Sequence, residues 1–189
     1  MKSVAVLGFG VIALTTGAFI SASAVPGSVT AISSLARGSY FQAAVEGAVS
    51  ARPSGGVAFG IVGDSATGVA AFTITLGAES PVGAILFTSL EGKMPAPGRY
   101  PVTDGAVAGG TGFRASYIAG SAERPSGLFR AERGILEITA SSAGHISGQF
   151  SFTGAGFLAS DPTDEGSVVT VNGAFTSTHP SLAARPGQP

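Results

Sequence analysis

The 189-residue chain has no cysteine and no tryptophan, only two histidines, and two lysines, Lys2 and Lys93. Without cysteine there can be no disulfide, cysteine-ligated metal or iron–sulfur site, thiol nucleophile or lipid-modified N-terminal cysteine. Charge is scarce as well, at 11% of residues, and the net formal charge is −1. Nucleic-acid binding needs a basic stripe, and none is present. His145 and His179 lie 34 positions apart, and histidine metal centres need further ligands at strand or helix spacing. The composition therefore calls for no metal and no cofactor.

The N-terminus has a short positive start, Met1-Lys2, then a charge-free run from Val4 to Ile20, then Ala22-Ser23-Ala24. This is the pattern of a secretory signal peptide cleaved before Val25. An uncleaved anchor is the alternative, because the apolar run approaches the length of a membrane span. Cleavage leaves 165 residues, with nine basic against eleven acidic side chains, and no membrane span. The product is expected in the periplasm or outside the cell. A fragment in this segment, Gly8-Phe9-Gly10-Val11-Ile12-Ala13, imitates a dinucleotide-binding turn. That turn needs an acidic residue about 20 positions on to hold a ribose. The first acid is Glu46, and Pro26-Gly27 intervenes.

From Ser39 onward the apolar period is two. Phe41, Ala43 and Val45 alternate with Gln42 and Glu46, and Phe72, Ile74 and Leu76 with Thr73 and Thr75. The same holds for Ile146, Gly148, Phe150 and Phe152 against Gln149 and Ser151, and for Val169, Val171, Gly173 and Phe175 against Thr170 and Asn172. One apolar face and one hydroxyl-rich face characterise antiparallel sheets solvated on one side. Turn signals such as Arg52-Pro53-Ser54-Gly55, Pro95-Ala96-Pro97-Gly98 and Ser142-Ala143-Gly144 punctuate the runs. The expected fold is all-β: an antiparallel sandwich or small barrel of about 8–10 strands. Ten strand candidates include separate strands at 127–132 and 134–140. Residues 25–37 read as a leader, 38–178 as one β-domain, and 179–189, with three prolines, as a disordered tail.

Gly38–Gly55 aligns with Gly110–Gly127 at a shift of 72, with seven of eighteen positions identical. A two-fold repeat, 38–105 and 110–177, is one reading. The other is that alternating strands closed by Arg-Pro-Ser-Gly turns all look alike.

The run Ile146-Ser-Gly-Gln-Phe-Ser-Phe, followed by Val169-Thr-Val-Asn-Gly-Ala-Phe, resembles the C-terminal strand pair of a family of uncharacterised exported bacterial β-proteins. Pro97-Gly98-Arg99-Tyr100 is similar to their turn. The resemblance covers about half of the mature chain. It implies an extracytoplasmic β-fold and carries no function with it.

Gly63-Asp64-Ser65 matches the serine triplet of some hydrolases. A serine nucleophile needs a histidine base oriented by a third group, and neither histidine has the required context. Gly109-Gly110-Thr111-Gly112 lacks the following helix and lysine of a phosphate loop. Glu46, Glu91, Glu132 and Glu137 read as solvent-facing strand residues, so no catalytic residue is assigned and no enzyme is expected. The ligand-binding candidates are Tyr40, Tyr100 and Tyr117, the only aromatics with a polar handle. Asp161, Asp164 and Glu165 form the densest acidic cluster and are the calcium candidates, though their spacing matches no calcium loop. The functional expectation is an exported, non-catalytic β-module that binds an unidentified ligand or envelope component. The alternatives are a small barrel holding a lipid-like ligand in an apolar cavity and, more remotely, an outer-membrane barrel or a hydrolase.

Overall fold

A computed structural model describes residues 38–64, 69–78, 83–89, 91–104, 111–121, 124–163 and 166–178. The predicted signal peptide, leader and tail lie outside the described residues. Nine strands are present among them: β1 (Tyr40–Gly47), β2 (Ser54–Asp64), β3 (Val69–Ala78), β4 (Ala84–Ser89), β5 (Gly98–Val102), β6 (Arg114–Gly120), β7 (Pro125–Ser142), β8 (His145–Leu158) and β9 (Ser167–Thr178).

Eight of the strands close into an antiparallel barrel in the order β1-β2-β3-β4-β6-β7-β8-β9, and β9 pairs back to β1. The all-β expectation is met, with the barrel taken over the sandwich. β5 is the ninth strand. Its ladder is with the second half of β7, from Gly98↔Ile138 to Val102↔Gly134. β6 occupies the same edge along the first half of β7. The Phe113 N–H donates to the Pro101 carbonyl and the Thr103 N–H to the Phe113 carbonyl, tying the end of β5 to the start of β6.

The predicted strands 127–132 and 134–140 are one strand, β7, interrupted by a bulge at Glu132. Against β8, Ala131 pairs with Gly154 and Arg133 with Thr153, so Glu132 is the extra residue. A bulge inserts one residue and shifts the side-chain phase. Before it Phe129 and Ala131 are buried, and after it Leu136 and Ile138 are. The odd-to-even change is why an alternation count divides the strand in two.

Inward residues fill the barrel with rings. Phe87 of β4 meets Phe150 and Phe152 of β8 edge-on, with centroids 5.1 and 6.1 Å apart. β4 and β8 are not neighbours in the sheet, so these contacts cross the lumen. Tyr117 stacks on Phe129 at 6.1 Å. An eight-stranded barrel is about wide enough for side chains to fill.

The paired G-x-F motifs have a reciprocal geometry. Gly148 lies opposite Phe175, and Phe150 lies opposite Gly173. Each glycine leaves room for the ring on the partner strand. A Cβ on Gly173 would fall 2.6 Å from the Gln42 carbonyl oxygen, and one on Gly148 would collide with the Glu137 carbonyl. The paired motif is thus a packing device. At one end of the barrel Ser39 and Ser177 share a buried hydrogen bond of 2.7 Å, and the Ser177 hydroxyl also lies 3.3 Å from the Val57 carbonyl.

Candidate functional site on the outer face

The outward phase of β1, β9, β8, β7 and β5 forms cross-strand rows. One row reads Gln42–Ala174–Gln149–Glu137–Arg99, each residue directly opposite the next. The adjacent row reads Ala44–Asn172–Ser151–Ile135–Pro101. Such a row follows from the pleat, because residues paired across an antiparallel ladder share a face. Strands lie ~4.8 Å apart, so five strands present a surface ~19 Å wide.

Two grooves lie along these rows. The first, of about 540 Å³, is lined by Tyr40, Gln42, Arg52, Asn172 and Ala174 among others. The second, of about 360 Å³, is lined by Arg99, Ile135, Glu137, Gln149, Ser151 and Asn172 among others. Asn172 and Gly173 line both, so the grooves adjoin along β9. Within the row, the small Ala174 lies between the two glutamines. It forms a low floor with an amide on either side. The Gln149 amide donates to the Glu137 carboxylate at 3.0 Å.

No protein-family model, curated protein or solved structure matches this chain. Function is therefore read from the site itself.

The sequence candidates are dispersed. Tyr40 is 53% exposed and lines the first groove. The Tyr100 hydroxyl donates to the Ala96 carbonyl at 2.7 Å, and its ring packs edge-on against Phe113. Tyr117 is fully buried in the core, and burial pushes its phenol above the ordinary tyrosine value. Of the three, Tyr40 lines one of the grooves described above. Asp161 is exposed and accepts a hydrogen bond from the Thr163 hydroxyl at 2.8 Å; Asp164 and Glu165 lie outside the described residues. Among the described residues no group of three His, Asp or Glu side chains converges to hold a metal ion. His145 follows the two-residue turn Ala143-Gly144 between β7 and β8. Ser65 and His179, like Gly109 and Gly110, lie outside the described residues.

A separate cleft of about 370 Å³ lies beside the β7 bulge, lined by Asp104, Arg130, Glu132, Leu128 and Phe157 among others. The bulge turns Glu132 outward next to Arg133, and both are exposed. Here two carboxylates line one cleft on a sheet surface, with Arg130 beside them. Of the four glutamates weighed in the sequence, Glu132 lines this cleft, Glu137 the polar groove and Glu46 a third hollow beside Arg52, while Glu91 sits in the turn after β4 rather than in a strand.

Sequence reasoning placed Gln42, Gln149 and Asn172 on the polar phase of their strands but did not assemble them. The missing information was register: Gln42 and Ala174 are far apart in the chain and adjacent only through the β1–β9 seam. The signal was present in the two G-x-F motifs, whose middle residues, Gln149 and Ala174, face each other across the ladder.

Proposed function

We propose that the protein is an exported, non-catalytic β-barrel module that holds its ligand on the polar outer face of β1, β9, β8, β7 and β5. The ring contacts across the lumen carry this reading. Phe87, Phe150 and Phe152 occupy the middle of the barrel, the space a lipid-like ligand would need. The closed barrel matches the architecture of that alternative, but recognition is better served by the two adjoining grooves outside. An outer-membrane barrel needs an outward apolar band flanked by aromatic girdles. The outward residues of these five strands are instead Gln, Asn, Ser, Thr, Glu and Arg in the main, so no such band runs across this side of the barrel.

Export rests on the charge-free run Val4–Ile20 and the Ala22-Ser23-Ala24 site. The test is to express the full chain in a bacterium and take the intact and native masses of protein recovered from the periplasm or medium. The expected species begins at Val25 and carries no lipid. Retention of residues 1–24 on a membrane-bound product would refute cleavage, and recovery of the full-length chain from the cytoplasm alone would refute export. A co-purified lipid, displaced when the barrel unfolds, would refute the outer-face reading.

A further inference from the structure

We infer that the ligand of this outer face is an uncharged glycan chain laid across the strands, seated on the floor made by Ala174. The inference rests on the outer-face reading and adds the class of ligand. Around Ala174 the side chains are Gln42 and Gln149 in its own row and Asn172 along β9. Ser151 lies opposite Asn172, and Tyr40 lines the same groove. Amides and hydroxyls both donate and accept hydrogen bonds. A sugar hydroxyl does the same, so this set matches a hydroxyl-covered ligand. Phosphates and carboxylates only accept, and they select donor-only arginine and lysine clusters.

Charge points the same way. Arg52 lines the first groove and Arg99 the second, while the groups around the Ala174 floor, Gln42, Asn172 and Gln149, are neutral. The Glu137 carboxylate lies directly opposite Arg99 in the ladder and would repel a polyanion there. Tyr40, 53% exposed, supplies the apolar ring against which the C–H face of a sugar packs. The floor is a position where bulk can be added without entering the core, because the Ala174 side chain is on the exposed phase of β9.

The test is native electrophoresis of the mature protein through gels containing dextran, laminarin, xylan or galactomannan, with polygalacturonate as the anionic counterpart. Variants are Ala174→Phe, which fills the floor, and Tyr40→Ala. Thr75→Phe places equal bulk on the exposed phase of β3, elsewhere on the barrel. Thermal melts establish that each variant is folded. At least one neutral polysaccharide should retard the parent and Thr75→Phe equally. Ala174→Phe should abolish the retardation and Tyr40→Ala should weaken affinity about tenfold. Retardation by polygalacturonate alone, lost in Ala174→Phe, would overturn the neutral-glycan inference and leave the outer-face reading standing. Retardation unchanged by both groove variants would overturn both. A parent retarded by none of the polymers, yet recovered processed and lipid-free, would overturn the glycan inference alone.

Discussion

Replacing Phe87 with alanine tests the filled lumen directly. Phe87 is fully buried and meets two rings from the far side of the barrel. Truncating a buried phenylalanine costs ~3–5 kcal/mol, a sum of lost transfer energy and the cavity left behind. Aromatic pairs add about 0.5–1.5 kcal/mol beyond area burial, which places Phe87→Ala in the upper half of that range. With an m-value of ~2 kcal/mol/M in urea, the midpoint should fall by roughly 2 M. Equilibrium unfolding followed by circular dichroism measures it, with Val62→Ala, 64% exposed, as a control expected within about 0.5 kcal/mol of the parent. The hole left by Phe87 would be apolar and able to take up benzene, so saturating benzene should restore part of the lost stability by mass action. A loss below about 1 kcal/mol would refute the packed-lumen argument and return the barrel interior to consideration as a binding cavity.

Other perturbations follow from specific contacts. Gly173→Ala puts a methyl 2.6 Å from the Gln42 carbonyl oxygen and against the Phe150 ring; a loss of about 1–3 kcal/mol in urea unfolding is expected. Ser177→Val removes the shared hydrogen bond with buried Ser39 and should cost about 1–3 kcal/mol, since a hydroxyl stays buried without its partner. The raised Tyr117 phenol has a pH signature. The unfolded chain ionises first, so this contribution to stability is complete below about pH 10 and falls as pH rises from there through the folded value. Urea midpoints at about pH 9 and pH 11 should therefore converge more closely in Tyr117→Phe than in the parent. Equal alkaline losses in the two would count against burial as the cause.

The sequence showed which side chains point inward. Phe41, Val45, Phe72, Ile74, Leu76, Ile146, Phe150, Phe152, Val169 and Val171 are all buried as their alternation requires. Alternation reports phase within a strand and nothing about its partner. A barrel and a sandwich impose the same local pattern, and only the β1–β9 pairing distinguishes them here. The β7 bulge was hidden for a related reason, since one inserted residue resembles a turn when the neighbouring strand is unknown. Tyr117 misled in the opposite direction. Its phenol suggested a surface role, whereas Ala115, Tyr117 and Ala119 share one buried phase. The outer site was the least legible feature, because its rows combine residues from both ends of the domain.

The seam between β1 and β9 also imposes an order on folding. Eight residue pairs, from Tyr40↔Thr176 to Gly47↔Val169, join the first strand to the last. Contacts between such distant parts of a chain are formed at a high entropic cost and slow the approach to the native state. Every hairpin from β2 to β9 can form before that step, but the ring cannot close until the final strand is present. In the interval β1 and β9 each lack the neighbour that completes their ladders, and such edges recruit other chains. A chain stopped short of Ser167 would lack β9 altogether and would stay open, with β1 and β8 as its free edges. Its fate would be set by how quickly other molecules find those edges, so the last twelve residues of the barrel act as the timekeeper for the first eight.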